Sequence, residues 1–139
     1  MIGVIATKRK VRSAFDSLSL HNLDTFIANW GEDATFIHRS SRSVGGEVQG
    51  KEAIEEWFRR FTEHYPISSF TVKNVCVENI FALGGNNVVA VAWDVKLANK
   101  DGKEFENSGV TLINVKKGKA ALVQDYIFDL EVAKAASGG

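Results

Sequence analysis

The sequence predicts an α+β domain in which three N-terminal helices cover one face of an antiparallel sheet. Two observations carry this expectation. Apolar residues recur at helical spacing only up to Tyr65, whereas after Pro66 the chain alternates like strands through four segments joined by glycine- and asparagine-bearing turns. A front of helices followed by a back of strands packs as helices on one face of an antiparallel sheet. With 139 residues there is enough chain for one core and too little for two ordinary domains.

The elements follow in order. From Ala6 to Leu20, Val11, Ala14, Phe15 and Leu18 form an apolar stripe opposite Lys8, Arg9, Arg12 and Asp16, which predicts an amphipathic first helix. His21 and Asn22 break that pattern. Asn22 can cap a short second helix containing Leu23, Phe26, Ile27 and Trp30. Residues 34–39 alternate as a short strand, and residues 40–50 form a polar, glycine-bearing loop expected to be the most mobile internal segment and to gate entry to a pocket. Lys51 to Tyr65 carries Ile54, Trp57, Phe58 and Phe61 at helical spacing and stops at Pro66. Four strands are then expected over residues 67–80, 87–98, 104–116 and 119–130. The intervening Asn99-Lys100-Asp101-Gly102 and Lys117-Gly118 segments carry hairpin chemistry.

Composition narrows the function classes. Hydrophobic residues at 45% and charged residues at 24% place the chain among globular proteins rather than disordered ones. Lys plus Arg and Asp plus Glu each number 17, so no net field draws the chain to nucleic acid or an anionic membrane. No long apolar segment or leader pattern is present, and the chain reads as cytoplasmic. Cys76, the single cysteine, excludes an internal disulfide, and its place in an apolar alternation reads as a small core residue. His21, His38 and His64 fall on separate elements without ligand spacing, so no metal is expected. Neither glycine pair is followed by the Lys-Ser/Thr of a phosphate loop, and no Gly-x-Ser-x-Gly occurs, so no cofactor is expected.

The stretch from Asn22 to His38, followed by residues 50–58 and by the Gly118-Lys119 turn with a strand ending Phe128-Asp129-Leu130, resembles SnoaL-like polyketide cyclases and ketosteroid isomerases. These belong to the nuclear transport factor 2-like superfamily, whose fold is also called cystatin-like. The resemblance implies a cone-shaped curved sheet enclosing a pocket in a single domain over residues 1–134, and the small residues at 135–139, with little to bury, are expected to form a flexible tail. It also implies a lining by the first strand, the third helix and the inner sheet face, here Trp30, Phe36, Trp57, Phe61, Trp93, Asn107, Gly109 and Thr111 as ligand-binding residues. His38 stands where the isomerases carry their proton-transferring aspartate. Asp125 stands near the acid/base aspartate of the cyclases. The isomerases' tyrosine on the first helix falls at Ala14, beside Phe15, and their second oxyanion donor falls near Thr111, so the resemblance does not extend to steroid isomerisation.

His38 and Asp125 are the expected catalytic pair. Imidazole titrates near neutral pH, and a carboxylate inside the apolar run Ala121 to Phe128 must find a partner or stay protonated. Each has a plainer reading: His38 as a rim residue bonded to Ser40 or Ser41, and Asp125 turned to solvent by a bulge. Trp57 and Trp93 read first as core and second as ligand platforms. Asn107 would hydrogen-bond a carbonyl, and Gly109 would make room for a ring. Three functions follow: a cofactor-free acid/base enzyme of isomerase, cyclase, hydrolase or dehydratase type acting on a small apolar carbonyl- or ring-bearing molecule; a non-catalytic binder of a small hydrophobic molecule; or an interaction domain using the sheet surface. Val88, Ala90, Ala92, Val110 and Leu112 share the outer face, which predicts a homodimer formed sheet to sheet.

Overall fold

The computed structural model describes residues 2–38, 46–80 and 85–129. Within them the chain forms α1 (Ile2–Ser19), α2 (Leu23–Ile27), β1 (Trp30–His38), β2 (Glu47–Gln49), α3 (Lys51–His64), β3 (Ile67–Val77), β4 (Asn87–Ala98), β5 (Glu104–Lys116) and β6 (Lys119–Ile127). The six strands make one sheet in the order β2-β1-β6-β5-β4-β3. The α+β class and the meander of the last four strands stand as expected. One pairing departs from an all-antiparallel sheet: β1 runs parallel to β6. Parallel neighbours need a long crossover, which here is α3 together with β3 to β5.

Asn22 caps α2 through its side-chain oxygen, which accepts from the Thr25 N–H at 3.4 Å. That helix is a single turn, and Trp30 is not in it. Trp30 opens β1 and pairs with Ala120, while the Ala120 N–H donates to Asn29 O at 2.9 Å. Helical spacing from Ile27 pointed Trp30 into the helix, but the exposed edge of β6 captured the backbone one turn earlier. The chain expected to be loop before α3 holds β2, which pairs with β1 through Val48 and Phe36. Residues 40–45 of that loop, with the mobility expected of them, and the tail at 135–139 lie outside the described residues.

Two apolar clusters hold the layers. One joins Leu18, Phe26, Ile54 and Phe58 of the helices to Trp30 and Phe36 of β1 and Val123 of β6. The other is Val75 on β3 with Val89, Val91, Trp93 and Val95 on β4, covered by Val11 and Phe15 of α1. The strict alternation of β4 leaves Ala90, Ala92 and Asp94 on the opposite face. Polar stitches fix α1 across β3: the Phe70 N–H donates to Ser19 Oγ at 3.0 Å, and His21 Nε2 lies 3.2 Å from Ser68 Oγ.

Cys76 corrects the core reading. A register shift between Val72 and Asn74 reverses the side-chain alternation of β3, so Phe70 and Val72 face the helices, then Val75 and Val77 do. Cys76 is exposed on the outer face. Among the described residues no helix is long and apolar enough to cross a membrane.

Candidate functional site

Between the two clusters lies a cavity of about 790 Å3, walled mainly by aromatic and aliphatic side chains. One row of the sheet crosses its inner wall. His38 is the Cα partner of Asp125, Asp125 of Thr111, and Thr111 of Val91, so four strands present these side chains side by side. Asp125 therefore faces inward, on the same face as the buried Val123. His38 Nδ1 stands 3.2 Å from Asp125 Oδ2, and the two side chains are 20% and 17% exposed.

The other carboxylate oxygen is held as well. Thr111 Oγ1 donates to Asp125 Oδ1 at 2.7 Å, and Trp93 Nε1 donates to Thr111 Oγ1 at 2.8 Å. Trp93 pairs with Gly109, two residues from Thr111, which is the diagonal that a long side chain can span. Direction follows from chemistry: an indole N–H can only donate, so Thr111 accepts from it and spends its single proton on Asp125. Asp125 is thus an acceptor at Oδ1. The His38 ring stands beside the carboxylate's other oxygen, Oδ2.

Aromatic rings continue the wall along α3. The His38 ring lies 4.9 Å from Trp57, Trp57 stacks on Phe61 at 5.8 Å and 11°, and Phe61 meets Tyr65 at 5.1 Å. Phe36 packs edge-on to Trp57 at 4.9 Å, and Trp30 packs edge-on to Phe36 at 5.7 Å. Trp30, Phe36, Trp57, Phe61, Trp93 and Thr111 all line the cavity. Asn107 also lines it, but its amide is engaged at the strand end, Nδ2 donating to Asp129 O at 2.9 Å and Oδ1 accepting from the Ser108 and Asp129 N–H groups.

Gly109 is a correction. It is not among the lining residues, and a Cβ there would meet Tyr126 O at 2.6 Å and the Trp93 ring at 2.7 Å. The missing side chain makes room for the indole of Trp93 rather than for a ligand. Tyr65 is a polar wall residue outside the set expected from the sequence. Its spacing of four from Phe61, itself four from Trp57, was the available signal. Burial pushes the Tyr65 phenol above the ordinary tyrosine value, so it holds its proton. Among the described residues no group of three His, Cys, Asp or Glu side chains is placed to hold a metal ion.

A sheet curved around an apolar cavity, with helices closing it and one polar row on its wall, defines the class of small pocket proteins to which the resemblance pointed. The SnoaL-like domain model matches residues 11–123, and the chain belongs to that family. No curated protein matches the sequence. Among solved structures, an NTF2-like protein of unknown function from Burkholderia pseudomallei superposes with a TM-score of 0.77 at 16% identity, over 95% of this chain and 97% of that one. TerC, co-crystallised with polyporic acid, superposes at 0.74 with 12% identity, over 94% and 97% of the two chains. RV0760c from Mycobacterium tuberculosis, in complex with estradiol-17beta-hemisuccinate, superposes at 0.71 with 18% identity, over 88% and 93%. At these identities the likeness establishes the fold.

Proposed function

We propose that this protein is a cofactor-free enzyme that transfers a proton on a small apolar molecule bearing a carbonyl or a ring, with His38 and Asp125 as its acid/base pair. The observation that carries this reading is the chain Trp93, Thr111, Asp125, His38 on the wall of an apolar cavity. A carboxylate held at both oxygens is pre-oriented, and an imidazole beside it accepts a proton as part of a coupled pair. Low-polarity walls strengthen that charge interaction relative to water. In the simplest step, a proton leaves a carbon next to a carbonyl for the pair, and the C–H electrons move onto the carbonyl oxygen. Return of the proton to the same or another carbon restores the pair. Thr111 supplies no hydrogen bond to that oxygen, because its proton is spent on Asp125.

Exchange of carbon-bound hydrogen tests the reading without knowledge of the natural substrate. With β-tetralone in D2O, NMR should show protein-dependent loss of the α-proton signal, and Asp125→Asn should slow it at least about 100-fold. Equal rates for the two proteins would sink the acid/base role. Binding of β-tetralone with no exchange in either would leave the second reading, a non-catalytic binder, which the Trp57–Phe61 stack supports.

We propose further that two copies of this chain pair through the outer face of the sheet. Ile37, Gln124, Leu112, Ala90 and Cys76 lie in one row of the outer face, next to the row of Tyr126, Val110 and Ala92. Such a face is more apolar than an isolated antiparallel sheet usually leaves to water, and two copies placed sheet to sheet would cover it.

A further inference from the structure

Tyr65 sits at the C-terminal cap of α3, 7% exposed, on the cavity wall. Its hydroxyl makes no hydrogen bond among the described residues, although every fully covered side-chain nitrogen and oxygen among them has a partner. The hydroxyl therefore keeps accessible surface, and the opening that Tyr65 lines is the cavity. Burial alone raises its pKa, with no charge or hydrogen bond contributing, so the group is a neutral donor without an acceptor. An unpaired donor this buried is costly unless something else completes it.

The position sets a length. Trp57 touches the His38 ring, and Tyr65 lies two contacts further along the same helix, beyond Phe61. Eight residues at the helical rise of 1.5 Å put the Tyr65 end about 12 Å from the Trp57 end. Tyr65 and the His38–Asp125 pair thus stand at two separated places on the cavity wall, with the aromatic rings of Trp57 and Phe61 between them.

We infer that Tyr65 is a binding residue that donates a hydrogen bond to an acceptor oxygen at one end of an elongated apolar ligand, whose other end lies against His38 and Asp125. This rests on reading the cavity as a ligand site and adds to it the shape of the molecule and a second anchoring point. A short molecule reaches one anchor or the other, whereas one spanning both is held in a single orientation with its remote end at the pair. Such anchoring is how binding energy distant from the reacting atoms orients them.

The test uses para-acetylbiphenyl and its shape-matched analogue without the oxygen, para-isopropylbiphenyl, titrated calorimetrically into the wild type and Tyr65→Phe. Loss of one hydrogen bond should weaken the acetyl compound about three- to tenfold and leave the isopropyl compound unchanged. Comparing the two compounds cancels their different hydrophobicity. Equal weakening of both would reduce Tyr65 to a packing residue, and no change in either would place the donor elsewhere. Failure of the wild type to bind either molecule would also overturn the inference. His38→Gln should keep the wild-type ratio of the two affinities. If that ratio holds while β-tetralone exchange is absent, the proton-transfer reading fails and the anchoring role of Tyr65 stands. Removing an unpaired hydroxyl leaves the packing of the ring on Phe61 and His64 in place, so Tyr65→Phe should unfold no earlier than the wild type.

Discussion

Thr111 has one proton to give, and Trp93 compels it to give that proton to Asp125. The residue is 4% exposed, so losing the hydroxyl leaves the buried Trp93 N–H and one oxygen of the partly buried Asp125 without a partner. Thr111→Val keeps the shape and removes both bonds. It should destabilise the protein by about 1–3 kcal/mol in urea unfolding, and His38 should then lose its fixed partner geometry. Thr111→Ser, which retains the hydroxyl, should recover most of that stability along with any exchange activity. A valine variant as stable as the wild type would mean that the chain of hydrogen bonds contributes nothing. Gly109 belongs to the same device, since its bare backbone is what lets the Trp93 ring lie flat enough to reach Thr111.

Among the elements, the tight hairpin between β5 and β6 sets the register of the row that holds Thr111 and Asp125. Lys117 and Gly118 turn the chain in two residues, with φ of 51° and 77°. Such a turn matches the right-handed twist of its strands, but positive φ is unfavourable for a lysine and easy for asparagine. Lys117→Asn should therefore raise stability by a few tenths to about 1 kcal/mol in denaturant melts. No change, or a loss, would mean that Lys117 is held by contacts that offset its backbone strain. Bulges act at this scale as well. The irregularity in β3 turns Cys76 outward, whereas the one between Asn114 and Val115 precedes Asp125 and leaves it on the Thr111 face.

At the scale of the whole molecule, the sheet has one face committed to helices and cavity and a second, outer face that carries the apolar row of Ile37, Leu112 and Ala90. Leu112 lies at the middle of that second face, between Ala90 and Gln124. A lysine there would place a charge at the centre of any sheet-to-sheet contact. Leu112→Lys should convert a dimer into a monomer in sedimentation velocity at tens of micromolar while leaving the circular dichroism spectrum intact. A wild type that sediments as a monomer at that concentration would remove the dimer from consideration. The cavity lies on the other face of the sheet, so ligand affinity in the monomeric variant should match that of the wild type.

Local pattern made much of this protein legible. The bounds of β4 and β5 and the inward set Val89, Val91, Trp93 and Val95 follow from period-two alternation between turn residues. His38 and Asp125 stood out because each interrupts an apolar run, and charge in such a place requires a partner. Their meeting depends on β1 lying parallel to β6 across 87 residues of chain, a pairing that no short-range pattern encodes. The same holds for Trp30, whose neighbours permitted a helix until a strand edge offered its backbone a partner. Alternation alone misplaces Cys76 and Gly109, because one bulge reverses a face and one large ring fills a neighbour's missing side chain. Helical spacing places Tyr65 in line with Phe61 and Trp57, but the surroundings of its hydroxyl are not encoded locally. Periodicity is written within a few residues, while register, bulges and hydrogen-bond satisfaction depend on groups brought together from distant parts of the chain.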